Sequence, residues 1–319
     1  MFKLGLFRRR IGFVVTRVVV TALLGACEVS GRSVPPPLPP PPPPPAGEPQ
    51  PQVGDVIAFA DSFAGYTSTA ALLAAFTSAQ THGTVSLDTT QFPGNRVAKF
   101  HYNNDGCLGP TDADVLLERG VTGPGAPVRE WLVSFQVAFQ PGYMFWWSAG
   151  GCSRGVGQKA IVIFRDPNNT TGGRITLSAN LESANPPVYG DLGGVLSWTI
   201  TIDMEAGSTK PGFSQIIRQH LALGSKTPNA IADGAWHRVT LRFVKESGID
   251  VGDGIAQMWV DGTLAINYNG ADPANAAYLR TWTRTNNFGD PIQFPTVLNA
   301  GAPQAESQWW ANVLVWHHP

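Results

Sequence analysis

Apolar residues recur at every second position along much of this 319-residue chain. In Trp131–Phe139 (WLVSFQVAF), Trp131, Val133, Phe135, Val137 and Phe139 fall on one side of an extended backbone. Arg174–Leu181 (RITLSANL) sets Ile175, Leu177, Ala179 and Leu181 against Arg174, Thr176, Ser178 and Asn180. Trp198–Glu205 (WTITIDME) sets Trp198, Ile200, Ile202 and Met204 against Thr199, Thr201, Asp203 and Glu205. Successive strand side chains point to opposite faces, so this alternation predicts antiparallel strands with one buried and one wet face. Roughly a dozen such segments between Gly/Pro/Asn turns predict an all-β sandwich or barrel. A helical spacing is confined to Ser68–Ala79 (STAALLAAFTSA), where hydroxyl residues are available as caps.

The first residues follow another pattern. Met1–Arg17 carries Lys3, Arg8, Arg9, Arg10 and Arg17 and no acid, and Val18–Ala26 is an uncharged, mostly apolar run. A basic stretch followed by a short apolar one is the signature of a secretory leader. The run is well short of the roughly 20 residues a spanning helix needs. Leu24-Gly25-Ala26-Cys27 resembles the lipobox of bacterial lipoproteins, which implies cleavage before Cys27 and acylation of that cysteine. A plain secreted protein is the alternative, although Leu24 does not suit an ordinary small-x-small cleavage site. Pro35–Pro45 then holds ten prolines in eleven residues. A polyproline II rod at about 3.1 Å per residue would extend roughly 34 Å.

The expected organisation is therefore a leader over 1–26, a lipidated cysteine with a proline-rich stalk over 27–52, and one domain over 53–319. The expected location is the bacterial cell envelope, outside the cytoplasm, with the lipid as the membrane attachment. Two further cysteines, Cys107 and Cys152, sit in Gly-rich stretches. An oxidising compartment predicts a structural disulfide between them, with a buried thiol pair as the alternative. Without the five cations of the leader the chain has 17 basic and 23 acidic residues, a net charge of −6. That balance argues against nucleic acid or an anionic membrane surface as a partner.

Asp233–Asn269 (DGAWHRVTLRFVKESGIDVGDGIAQMWVDGTLAINYN) carries a more specific pattern: a W-H-x-V strand, a polar loop, a strand closing on W-V-D-G, and one more strand. This resembles the concanavalin A-like lectin/glucanase superfamily and its laminin G-like relatives. The closing QWWANVLVW and the opening FADSFAGYTSTAALLAAF are similar to segments of the same group. The resemblance implies an antiparallel jelly-roll β-sandwich whose concave sheet carries a glycan. Asp261-Gly262 is expected to form a tight hairpin turn, with Val239, Leu241 and Phe243 facing the core.

Sugars are held by hydroxyl, amide and charged groups and by flat aromatic rings. The candidate polysaccharide-binding residues are Arg174, Thr176, Asn180, Thr201, Asp203 and Glu205, with Trp146 and Trp147 as stacking platforms. The opposing reading makes these stripes a plain solvent face and the tryptophans core. Laminarinase-type hydrolases of this fold carry E-x-D-x-E on a strand. Thr201 stands where the nucleophile would be, so retaining chemistry, which needs two flanking carboxylates, is disfavoured. A polysaccharide lyase acting on a uronate-containing glycan is the enzymatic alternative. Arg218 and His220 in Ser214–His220 (SQIIRQH) would neutralise the carboxylate and take the C5 proton, and Tyr189 would serve as the acid. Other hallmarks of jelly-roll alginate lyases are absent from the sequence. A structural or protein-binding envelope module is the third reading. No cofactor is required; a structural calcium ion is a further option, with Asp250 and Asp253, or Asp105, Asp112 and Asp114, as oxygen donors.

Overall fold

The computed structural model describes residues 47–92, 94–104, 113–120, 128–143, 146–147, 156–163, 175–181, 196–203, 214–217, 231–244, 247, 251, 253–269, 291–295, 297–298, 302 and 304–319. Two antiparallel sheets account for the strands among them. The first runs, edge to edge, β14 (Thr263–Asn269), β13 (Ile255–Val260), β12 (Trp236–Val244), β6 (Glu130–Phe139), β17 (Glu306–His317), β4 (Val97–Tyr102) and β3 (Gly83–Asp88). An eighth strand, β1 (Val56–Asp61), also pairs with β17. The second sheet runs β11 (Ser214–Ile217), β10 (Leu196–Asp203), β9 (Ile175–Leu181), β8 (Val156–Ile163), β15 (Pro291–Phe294), β5 (Ala113–Gly120) and β16 (Val297–Leu298). Here β2 (Thr77–Gln80) joins β5, and β7 (Trp146–Trp147) joins β8, which makes nine strands. The architecture is an antiparallel jelly-roll β-sandwich.

Alternation explains which faces meet. Trp131, Val133, Phe135, Val137 and Phe139 of β6 are all buried, as are Val239, Leu241 and Phe243 of β12. Val115 and Leu117 of β5 and Ile292 and Phe294 of β15 reach the same core from the nine-stranded sheet. The junction between the sheets is aromatic. Trp310 of β17 stacks on Phe135 at 4.4 Å between centroids and on Phe294, across the sandwich, at 5.8 Å. Such rings combine a large buried area with a preferred geometry, which fixes the relative position of the sheets. Gly83 of β3 marks another close approach: a Cβ there would stand 2.2 Å from the His101 carbonyl oxygen and 2.6 Å from Val115 Cγ2.

The C-terminal strand is central rather than peripheral, since β17 pairs with β4, β6 and β1. Its register with β6 shifts between Ala311 and Leu314, where Asn312 has φ 51° and its Nδ2 donates to Gln136 Oε1 at 2.8 Å. This bulge bends the strand and lets it change partners along its length.

The Asp233–Asn269 pattern folds as expected, with an additional role for its polar residues. Asp261 and Gly262 have φ of 48° and 76°, the left-handed pair that a two-residue hairpin turn between β13 and β14 requires. The Asp261 carboxylate also accepts from the Arg238 backbone N–H at 2.8 Å and bonds His237 Nδ1 at 2.8 Å. Asp233 contacts the other ring nitrogen of His237 at 3.2 Å. Burial pulls the His237 pKa down, but the hydrogen bonds and charges of Asp261 and Asp233 outweigh it and leave the pKa raised. The histidine and the aspartate of the motif thus bind each other across neighbouring strands.

The helix is shorter than its spacing predicts. α1 covers Thr69–Ala74, begins at Ser68, whose side chain accepts from the Ala71 N–H, and buries Leu72. From Thr77 the chain pairs with β5 instead, because Thr77–Gln80 gains a full set of ladder partners there.

The outer face of the eight-stranded sheet is covered in two places. At one corner Val97, Ala138, Trp236, Trp309 and Ala311 form a second apolar cluster beneath Phe92. Nearer the middle, Glu48 lays its fully buried carboxylate on β12: it accepts from Arg238 Nε at 2.9 Å, Arg238 Nη2 at 2.8 Å and Thr240 Oγ1 at 2.5 Å. Thr240 Oγ1 also lies 3.2 Å from Ser134 Oγ.

Candidate functional site

The outer face of the nine-stranded sheet is built differently, and its register defines it. Cross-strand partners form a row: Ile216 on β11, Thr201 on β10, Thr176 on β9, Val162 on β8, Gln293 on β15, Glu118 on β5 and Thr77 on β2. Ile292 and Leu117, beside this row in sequence, are wholly buried in the core. Directly opposed residues share a face, so the row belongs to the side away from the core. At about 4.8 Å between strands it spans roughly 29 Å.

A second row runs parallel to it. Thr199 pairs with Ser178, Ser178 with Lys159, and Val297 of β16 pairs with both Lys159 and Asp114. Ser197 opposite Asn180 and Asp203 opposite Ser214 extend the pattern at either end. Hydroxyl, amide, carboxylate and ammonium groups therefore recur at register positions of one face. Within the first row Gln293 Nε2 donates to Glu118 Oε2, and Gln293 is itself nearly buried. That bond orients both groups before any ligand arrives.

Of the candidate binding residues, Thr176 and Asn180 lie on β9 and Thr201 and Asp203 on the adjacent β10, with Thr176 directly opposite Thr201. Trp146 pairs with Gly157, two positions before Lys159, and Trp147 pairs with Val156. Lys159, Gln293, Glu118 and Asp114 were not foreseen as partners of these residues. The signal available for them was the alternation in Val156–Ile163 and Pro291–Phe294, which gives strands but not their neighbours. Arg174 and Glu205 lie outside the described residues, as do the lyase candidates Tyr189, Arg218 and His220 and all three cysteines, Cys27, Cys107 and Cys152.

Other expected features resolve more sharply. Six of the ten tryptophans, Trp131, Trp236, Trp259, Trp309, Trp310 and Trp316, are buried, which removes them from any sugar platform. Tyr102 and Tyr143 are also wholly buried. Tyr66 is pushed up to about 12 by burial and by the Asp61 carboxylate that its hydroxyl donates to at 2.6 Å. None of these three tyrosines belongs to the polar rows. Asp253 has both oxygens engaged, one by the Ser247 N–H at 2.8 Å and the other by Arg129 Nη2 at 3.0 Å. Asp105, Asp112 and Asp250 lie outside the described residues, among which no group of three or more His, Cys, Asp or Glu could hold a metal ion.

No family model matches the chain, and no curated protein matches it. Solved structures do. A variant of alginate lyase Aly36B in complex with an alginate tetrasaccharide is 11% identical, with a TM-score of 0.47 over 83% of this chain and 97% of its own. The cellulose-induced protein Cip1 is 14% identical, with a TM-score of 0.44 over 81% of this chain and 96% of its own. An alginate lyase from a Chlorella virus, vAL-1, is 12% identical, with a TM-score of 0.43 over 82% of this chain and 93% of its own.

Proposed function

We propose that the chain binds polysaccharide across the outer face of its nine-stranded sheet, as a domain carried at the envelope on a lipid-anchored, proline-rich stalk. The observation that carries this is the register itself. A row crossing seven strands carries Thr201, Thr176, Gln293, Glu118 and Thr77, with Ile216 and Val162 as its apolar members, and a parallel row carries Thr199, Ser178, Lys159 and Asp114 about Val297. A long polymer of hydroxyl groups needs many modest hydrogen bonds distributed along its length, each contributing about 1 kcal/mol. Small hydroxyl residues interspersed with amides and carboxylates supply donors and acceptors at that spacing. A mixed set of Lys159, Asp114, Asp203 and Glu118 favours a polymer whose own groups both donate and accept.

The test separates binding from cleavage. The full chain is run in native gels containing each of a panel of neutral and uronate-containing polysaccharides, and the same mixtures are followed for the ultraviolet absorbance of an unsaturated product. Retardation by at least one polymer with a flat absorbance trace is the expected result. A rise in absorbance that His220→Ala abolishes would instead make the protein a lyase. Neither retardation nor turnover on any polymer would leave a structural module.

A further inference from the structure

A concave region lies away from the polar rows, on the other sheet. Where β6 and β13 begin and β12 and β17 end, the rim of the eight-stranded sheet holds a cavity of about 780 Å³. Sites for small organic ligands commonly occupy about 300–1,000 Å³. Its apolar lining includes Val128, Val244 and Ile255, and its polar lining includes Arg129, Glu130, Arg242 and Asp253.

Both arginines on its wall are paired with carboxylates. Arg129 Nη2 meets Asp253 Oδ2 at 3.0 Å, and Arg242 Nε meets Glu130 Oε1 at 2.6 Å. His318, also on the wall, bonds Asp55 at 2.6 Å. Arg242 is fixed on its other side as well: Nη1 donates to Gln257 Oε1 at 3.1 Å, and Gln257 Nε2 donates to Asn267 Oδ1 at 2.7 Å. Glu130, Arg242, Gln257 and Asn267 thus form a ladder across β6, β12, β13 and β14.

Pairing decides what such a site selects. A free anion gains little from a guanidinium already held by a carboxylate, and the carboxylate repels it; a free cation meets the mirror image. A paired guanidinium still has N–H donors to spare, and a paired carboxylate still has lone pairs. The favoured ligand is neutral, carries hydroxyls that both donate and accept, and has an apolar patch to set against the valines and Ile255. A sugar ring has these properties. We infer that the rim cavity is a second, separate glycan site that takes the end of a neutral oligosaccharide. Its hydroxyls would engage the Arg129–Asp253 and Arg242–Glu130 pairs, and its C–H face would lie against Val128, Val244 and Ile255.

The test is titration calorimetry on the full chain with neutral tetrasaccharides of glucose and of mannose, and with a tetrasaccharide of galacturonate as the charged control. The expected result is that at least one neutral tetrasaccharide binds, with an affinity that changes less than about twofold between about 50 and about 500 mM NaCl. Arg129→Ala, at an exposed position whose loss leaves the fold intact, should weaken it about tenfold. Ile255→Trp, which fills the cavity, should abolish it, and Lys99→Ala, at the other end of the same sheet opposite Trp309, should leave it unchanged. Binding by the galacturonate probe alone, with a strong salt dependence, would overturn the inference. So would no binding of the neutral probes, or neutral binding that Arg129→Ala leaves intact. Because Arg129→Ala touches the rim alone, weakened tetrasaccharide binding with unchanged polysaccharide retardation in native gels distinguishes this site from the sheet face.

Discussion

The two sheets share a core but treat their outer faces in opposite ways. On the eight-stranded sheet the outer face is closed at one corner by the Phe92, Trp236 and Trp309 cluster and nearer its middle by Glu48 bound to Arg238 and Thr240. On the nine-stranded sheet the row from Thr77 to Thr201 is polar at every position but Val162. Groups buried on the first sheet are large, and their replacement costs folding energy. The second face carries polar groups in register instead, and it is the face we propose for binding, so that stability and binding would be divided between two faces of one sandwich.

That division can be broken in graded ways. Trp310→Ala removes the ring that bridges Phe135 and Phe294 and should cost about 4 kcal/mol in urea unfolding, the largest effect expected of any single change discussed. Glu48→Gln leaves Arg238 without its counter-charge in a buried place and should cost about 3 kcal/mol. Adding Arg238→Met to it should restore part of the loss, since no uncompensated charge then remains.

A pH effect of smaller size follows from His237. Its folded pKa lies above the unfolded value, so the protonated ring contributes stability below pH about 6.5. The contribution is lost as pH rises through the raised folded value. For Asp261, burial acts upward, but His237 and the Arg238 N–H outweigh it and hold the pKa below 3.8. Its contribution is present above that value and is lost as pH falls through the lower, folded one. Burial and Lys99 hold the His101 pKa down, which acts the other way, so from pH 6 to 8 urea midpoints should fall more in the wild type than in His237→Gln. The smallest stability effect belongs to the polar rows: Thr176→Ala and Thr201→Ala should each move stability by less than about 0.5 kcal/mol.

The contrast between the sheets also explains what could be read from the chain. Strand identity was legible wherever one face is buried, as in Trp131–Phe139, because period-two alternation is the imprint of a half-buried sheet. The Asp261-Gly262 turn was legible because few residue pairs tolerate two positive φ angles. Neighbour relations were not. Nothing in Pro291–Phe294 announces that Gln293 lies between Val162 and Glu118, since that pairing joins strands more than a hundred residues apart. The same holds for Glu48, which looks like part of a polar linker and reaches Arg238 across 190 residues of sequence. The spacing of Ser68–Ala79 overstates the helix for a related reason. Its local spacing is helical, but Thr77–Gln80 finds a longer-range partner in β5 that local propensity does not contain.

The most direct test of the sheet-face account compares the wild type with a Thr176→Arg/Thr201→Arg double variant in native gels cast with the polysaccharide that retards the wild type. Thr176 and Thr201 are opposed on adjacent strands, so two arginines there crowd one patch of the face without reaching the core. The account predicts that retardation is lost while the urea midpoint stays close to that of the wild type. Undiminished retardation of the double variant, at unchanged stability, would contradict it and move the binding surface elsewhere on the molecule.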